Sequence, residues 1–204
     1  IDDPMMPLEL FRSPTFVGAN LVTLLLYFTL NGILFFLPFN LVQVQGYSAT
    51  EAGAAFLPFT LLLGFLSRWA GGIVDTWGAR LPLVVGPTIV AVGVALLLLP
   101  GADASYWTGF FPGLLIFGFG MAISVAPLTT VVMNSVADRR AGIASGVNNA
   151  AGRLAGLLAV AVLGVVALSL FAADLDDRLA QTDASPAARA SVYAERDHFA
   201  AARI

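Results

Sequence analysis

Residues 13–50, 52–67, 81–102 and 104–137 of this 204-residue chain carry no Asp, Glu, Lys or Arg. An apolar run of roughly 20 residues crosses the hydrocarbon core of a bilayer as a helix, and three of these runs exceed that length. The pattern predicts helices over 15–44, 50–74, 79–99, 105–136 and 141–171. Polar or turn-forming breaks separate them: Gln45-Gly46-Tyr47-Ser48, a charged turn over 71–80, Pro100-Gly101-Ala102-Asp103 and Ala137-Asp138-Arg139-Arg140. Ser13-Pro14 has the form of a helix start, serine as cap and proline in the first turn. Residues 7–11 before it read as a short amphipathic lead-in lying along the interface. The expected fold is all-α, a polytopic membrane bundle of five transmembrane helices.

Composition agrees. Hydrophobic residues make up 58% of the chain and charged residues 11%, against about 25% charged in ordinary soluble domains. Mean hydropathy is +0.86. A water-facing surface cannot be built from such a chain. The net charge of -3 comes without a single lysine and with scattered arginines, so no basic patch exists for nucleic acid. The lack of cysteine excludes disulfides, thiol chemistry and thiolate metal sites. The single histidine, His198, lies in a polar tail, so no metal site is expected. The chain opens with Ile1 and shows no cleavable signal pattern, so it reads as a piece of a longer protein.

Charge alternates along the breaks. Arg12, Arg80, Arg139 and Arg140 occupy the first, third and fifth connections, whereas Glu51 and Asp103 mark the second and fourth. Basic residues near span ends favour the cytoplasm, which places the amino end, the 71–80 turn and the Arg139 loop inside. Trp69 and Trp77 flank the inner turn, and Tyr106 with Trp107 opens a helix at the outer face, as interfacial aromatics do. The expected domains are a cytoplasmic lead-in over 1–14, a bundle over 15–171 and a polar external tail or loop over 172–204. The last is expected to be partly helical.

Polar positions within the spans are few. Asn20, Thr23, Tyr27 and Asn31 are spaced three, four and four residues apart and share one helix face. Lipid cannot satisfy amides, so that face meets other helices or water. Two readings stay open: a cavity wall touching a passing substrate, or interhelical hydrogen bonding. A second stripe runs along the fifth helix through Gly142, Gly146, Asn149, Arg153 and Gly156, with small residues that let backbones approach in Gly142-xxx-Gly146 and Gly152-xxx-Gly156. Arg153 lies roughly 20 Å from the Arg139 loop at about 1.5 Å per residue. A charge at that depth is functional by default, unless the helix protrudes and the side chain snorkels back. Arg68, nearer the inner face, reads as a snorkelling residue or a neighbour of the charged turn.

Pro38, Pro58, Pro87, Pro112 and Pro127 kink or break helices. With the glycines of 109–120 they suit helices that rock against each other, and static bundles as well. No nucleophile elbow, phosphate-cradling loop or acid embedded mid-membrane appears. The chain is therefore expected not to be an enzyme and to need no cofactor.

Gly71, Asp75, Gly78 and Arg80 have the spacing G-x-x-x-D-x-x-G-x-[RK], which resembles the signature loop of the major facilitator superfamily. Thr76 stands where a basic residue is usual and Ala79 replaces the first of two basics, a weakening typical of the copy in the carboxyl-terminal half. Leu10-Phe11-Arg12 through Phe16, Gly46-Tyr47-Ser48, Ala52-Gly53 and Leu57-Pro58 resemble the opening of that half in the fourteen-span drug/proton antiporter branch. Residues 141–149, followed by Arg153-Leu154-Ala155-Gly156, resemble the branch's penultimate helix. The resemblance covers about 8–171.

It implies five helices of a six-helix half, with the amino-terminal half and the last helix of the same transporter as partners. It also implies gating by Gly71, Asp75, Gly78 and Arg80, Asp75 holding an inner helix contact that opening must break. Asn20, Thr23, Tyr27, Asn31, Asn149 and Arg153 are the expected cavity-lining residues. The function implied is efflux of drugs or other amphipathic small molecules through a cell (inner) membrane, coupled to protons and working by alternating access. Alternatives are export of a specific metabolite or lipid on the same scaffold, or a non-transporting membrane sensor or assembly protein.

Overall fold

The computed structural model describes residues 7–78, 80–181 and 192. Side chains at positions 70, 71 and 73–77 lie outside that description, as do Ala79 and the acidic tail positions Asp183, Glu195 and Asp197. Six α-helices are present among the described residues: α1 (Pro14–Phe39), α2 (Ala49–Ala54), α3 (Leu57–Trp77), α4 (Arg80–Leu97), α5 (Phe111–Asn134) and α6 (Ala141–Gln181). A π-turn over Asn40–Val44 extends α1, and another over Tyr106–Phe110 leads into α5. Five segments are long and apolar enough to cross a membrane: Pro14–Val44, Ala49–Trp69, Arg80–Leu97, Tyr106–Asn134 and Asp138–Gln181. The expected all-α, five-span architecture is the one observed.

The local starts follow from side-chain chemistry. Ser13 caps α1, its Oγ accepting from the Phe16 amide at 3.3 Å, with Pro14 in the first turn. Ser48 and Glu51 form a reciprocal capping box on α2: the Glu51 amide donates to Ser48 Oγ at 3.3 Å, and the Ser48 amide donates to Glu51 Oε2 at 2.9 Å.

Two boundaries differ from the sequence reading. The helix expected over 50–74 is interrupted after Ala54, because Pro58 has no amide hydrogen to offer the Ala54 carbonyl. The charged turn expected over 71–80 is mostly helix: α3 continues through Trp77, and the break comes at Gly78. Gly78 sits at φ +73°, the left-handed conformation that ends helices and that glycine adopts without a Cβ clash. Asp75 is thus in the last turn of α3, not in a loop.

The chain divides into two compact units, Ile1–Gly156 and Leu157–Ile204, with the boundary inside α6. In the first unit α5 is the central helix. Half of its most apolar stretch is buried (50%), against 17% for α1 and 22% for α4. Small residues make that burial possible. A methyl group on Gly93 of α4 would lie 2.5 Å from the Phe117 amide nitrogen, and one on Gly120 of α5 would lie 2.6 Å from that of Val90. Gly86 and Gly113 are similarly crowded, by Ser124 and Leu97. The seven-residue spacing of Gly86 and Gly93, and of Gly113 and Gly120, keeps each pair on one helix face. The backbones of α4 and α5 therefore touch along two turns. On its other side α5 meets α3, with the Phe59 and Phe117 rings stacked at 5.3 Å.

Polar contacts pair the connections by end. Gln45 Nε2 donates to the Gly101 carbonyl at 2.9 Å, and Tyr106 donates its hydroxyl to the Ala55 carbonyl at 2.8 Å. These tie the α1–α2 and α4–α5 connections together. The Arg140 guanidinium meets Glu9 at 3.1 Å, which joins the lead-in to the α5–α6 connection. Phe65, Trp69, Leu98, Leu99 and Trp107 are each more than two-thirds exposed, a surface for which hydrocarbon is the matching solvent.

In the second unit α6 runs to Gln181, ten residues past its expected end at 171. It presents exposed Leu157, Val165 and Leu170 and ends near an i,i+4 pair, Arg178 Nε to Asp174 Oδ2 at 2.7 Å.

Candidate functional site

The polar stripe of α1 meets α6 through Asn148, Gly152 and Gly156, whereas Gly142, Gly146, Asn149 and Arg153 of the expected α6 stripe are exposed. Each amide on α1 first satisfies part of itself on its own backbone. Asn20 Nδ2 donates to the Phe16 carbonyl at 2.8 Å, and Asn31 Nδ2 donates to that of Tyr27 at 2.7 Å. The Thr23 hydroxyl donates to the Ala19 carbonyl at 3.0 Å. Such i−4 bonds are the cheapest partners for a polar side chain in an apolar helix.

The remaining acceptors at one end of the stripe are taken by α6. Asn148 Nδ2 donates to Thr23 Oγ1 at 2.6 Å and to Asn20 Oδ1 at 3.3 Å. Thr23 is 1% exposed. Asn20 and Thr23 thus bond across helices. Beside this bonded pair is a cavity of about 260 Å³, lined by Thr23, Tyr27, Asn31, Asn148, Asn149, Gly152, Arg153 and Gly156. Of the α1 stripe, Asn20 and Thr23 bond to α6, and Thr23, Tyr27 and Asn31 line the cavity.

Glycines set that geometry. A methyl on Gly152 would lie 3.4 Å from the Tyr27 ring, and one on Gly156 would lie 3.2 Å from the Asn31 amide carbon. The two α1 side chains rest directly on the α6 backbone. Gly142 and Gly146 have no such neighbour among the described residues, so only the second expected small-residue pair acts as a contact. Arg153 stands exposed at the cavity, and no carboxylate among the described residues pairs with it.

Asn148 is the residue that sequence reasoning missed. It lies about 100° around the helix from the stripe through Asn149, although its four-residue spacing to Gly152 was a usable sign. The charged-motif residues lie elsewhere in the fold. Gly78 ends α3, and Arg80 opens α4 with an exposed side chain. Gly71 and Asp75 lie in α3, and the surroundings of Gly71 and of the Asp75 side chain are outside the description. Arg68 is exposed on α3.

A larger cavity of about 480 Å³ lies between α1 and α4, with Leu25, Leu26, Pro87, Val90 and Val94 in its walls and Thr29 as its one hydroxyl. It offers little that could orient a ligand. No group of three or more His, Cys, Asp or Glu suited to a metal occurs among the described residues.

The family model described as Major Facilitator Superfamily matches residues 2–179. The chain is 31% identical over 187 residues to the Multidrug resistance protein Stp of Mycobacterium tuberculosis, covering 92% of this chain and 34% of that protein. It is 30% identical to the Tetracenomycin C resistance and export protein of Streptomyces glaucescens, covering 89% of this chain and 34% of that protein. It is also 30% identical to the Drug efflux pump JefA of Mycobacterium tuberculosis, covering 93% of this chain and 37% of that pump. The chain thus spans about a third of the length of the curated relatives it matches.

Proposed function

The chain belongs to the Major Facilitator Superfamily, and on that premise we propose that it forms part of a proton-coupled exporter of drugs or other amphipathic small molecules. In this reading it is part of a multi-pass membrane transporter and not an enzyme, with a small-molecule substrate and the bilayer as partners, which family membership and the five apolar helices support. The remaining partners in this reading are the amino-terminal half and the last helix of the same transporter. In alternating access two bundles rock around a site near the bilayer midplane.

The observation that carries the reading is the pairing of export-named relatives across nearly the whole chain with a polar cavity between α1 and α6. In this reading Asn20, Thr23, Tyr27, Asn31, Asn149 and Arg153 face the substrate cavity, with Asn20 and Thr23 also bonded to Asn148 of α6. Gly71, Asp75, Gly78 and Arg80 act at the gate. The arginine-bearing connections lie on the cytoplasmic side of a cell (inner) membrane. The bundle occupies 15–171, and 172–204 extends outside, its first ten residues continuing α6. The lead-in over 1–14 is cytoplasmic.

The test is dye efflux by the complete transporter in a host stripped of its own pumps. Ethidium extrusion that stops when a protonophore collapses the proton gradient is the expected result. Extrusion indifferent to the gradient removes proton coupling, and no extrusion of any drug or dye removes the efflux reading.

A further inference from the structure

The α1–α6 cavity contains a strong charge of one sign only. Its lining offers a phenol, a hydroxyl, three side-chain amides and the Arg153 guanidinium, and no acid. Arg153 has no carboxylate partner among the described residues. The glycines on either side of it in the sequence are used for contact: Gly152 lets the Tyr27 ring lie against α6, and Gly156 does the same for the Asn31 amide. These contacts hold two hydrogen-bonding groups of α1 beside the guanidinium. Asn31 has already committed its NH₂ to the Tyr27 carbonyl, so its orientation is fixed before any ligand arrives.

We propose that Arg153 reads negative charge on the exported molecule, binding a carboxylate of an anionic or zwitterionic amphiphile in this cavity. The inference rests on the export reading above and specifies its substrate class. A guanidinium presents a planar fork of donors that matches the two oxygens of a carboxylate, and such charge-assisted bonds are roughly twice as strong as the neutral ones the surrounding amides can offer. A cavity of about 260 Å³ admits a carboxylate with part of an aromatic ring. Tyr27 supplies a phenol to hydrogen-bond the group and a flat face beside it. A permanent cation is disfavoured at the same guanidinium.

Binding and export are measured separately on the complete transporter. Fluorescence anisotropy of the purified protein reads binding of carboxyfluorescein and of ethidium, and efflux from cells loaded with each dye reads transport. Arg153→Gln is expected to weaken carboxyfluorescein binding by at least about tenfold, and to weaken it several-fold more than it weakens ethidium binding, as loss of one partner of a charge-assisted pair requires. Arg153→Lys, which keeps the charge and loses the fork, should fall between Gln and the parent.

Unchanged carboxyfluorescein binding by Arg153→Gln overturns the assignment. Equal loss of both dyes at unchanged expression also overturns it, and marks Arg153 as the partner of a carboxylate in the transporter itself. A parent protein that exports ethidium but binds no carboxyfluorescein refutes this site alone. A parent that binds carboxyfluorescein through Arg153 and exports neither dye supports the site and refutes the export reading.

Discussion

Asn148 on α6 donates a side-chain amide hydrogen bond to the Thr23 hydroxyl on α1 at 2.6 Å, and the Thr23 hydroxyl in turn donates to the Ala19 carbonyl at 3.0 Å. Thr23 is thereby donor and acceptor at once, with both roles filled inside an apolar bundle. Thr23 and Asn148, the bonded pair of this hydrogen-bond relay, line the polar cavity together with Tyr27, Asn31 and Arg153. Helix association in lipid lacks a hydrophobic drive, so such a bond carries a larger share of it than in water.

Breaking that relay should cost little but measurably. Interhelical hydrogen bonds in membranes average about 0.6 kcal/mol and reach about 1.7, and a buried, unsatisfied amide adds to the loss. Asn148→Ala and Thr23→Val, alone and together, should show a coupling of about 0.5–2 kcal/mol in a double-mutant cycle read by denaturation in mixed micelles. Additive effects would mean that the bond contributes nothing to holding α6 on α1.

The α4–α5 contact should be far less tolerant. A Cβ on Gly93 would meet backbone at 2.5 Å, and one on Gly120 at 2.6 Å. Neither obstacle is a side chain that can swing away. Gly93→Ala and Gly120→Ala should therefore force the helices apart and lower stability by about 1–3 kcal/mol each, the usual cost of overpacking. Gly53→Ala and Gly64→Ala meet nothing within 4 Å and serve as controls, in which alanine is expected to be neutral or mildly stabilising. Melting of the purified protein in one detergent compares all four. Equal melting points would show that α4 and α5 are not locked by backbone contact.

How far the sequence could be read depended on what each feature needs. Five spans were legible because an uncharged run beyond roughly 20 residues has few fates other than crossing a bilayer. The boundary at 71–80 was misread because Gly71, Gly72 and Asp75 look like loop residues in a water-trained eye. A backbone near lipid keeps its hydrogen bonds, so α3 persists until Gly78 turns left-handed. The split between α2 and α3 was announced by Pro58, but a proline within a span kinks some helices and ends others.

The polar stripe of α1 was visible from spacing alone. Its bonding to α6 at Asn20 and Thr23 was not, since that depends on Asn148 arriving from a helix more than a hundred positions away. The roles of Gly86, Gly93, Gly113 and Gly120 had the same obstacle: only the antiparallel register of α4 and α5 distinguishes them from the free Gly64.

Paired ends give a topology prediction that needs no background removal, because the chain has no cysteine. Gln45 meets Gly101, and Glu9 meets Arg140. Single cysteines at Gly46 and Asp103 should react together with an impermeant maleimide added to sealed cells. A cysteine at Asp138 should react only after the membrane is opened. Labelling of Asp138 from outside would invert the orientation proposed from the arginines, and labelling of Gly46 and Asp103 from opposite sides would contradict the bundle itself.

Gly78 can be tested by conformation alone. Its φ of +73° costs an L-residue roughly 1–2 kcal/mol, least for asparagine. Gly78→Ala should destabilise the protein by about that much and Gly78→Asn by less, measured by the same micellar denaturation. A methyl there meets no neighbour within 4 Å, so any loss reports the backbone and not a clash. Equal stability of all three forms would mean that the helix end is not left-handed in the membrane.

Asp75 should behave in the opposite way, with function falling while stability holds. It sits in the last turn of α3, where the carbonyl end of the helix disfavours a carboxylate by about 0.3–1 kcal/mol at exposed sites. Its own helix therefore gives no reason for an acid at this position. In the proposed gate, Asp75 is favoured only in the state where it meets a cation or the start of another helix, and that difference biases the transporter between its two openings. Asp75→Asn removes both the local penalty and the bias. The expected result is a several-fold loss of ethidium efflux by the complete transporter, with insertion intact and a melting point unchanged or slightly raised. A lower melting point with proportional loss of efflux would make Asp75 a structural residue, and undiminished efflux would take it out of the gate.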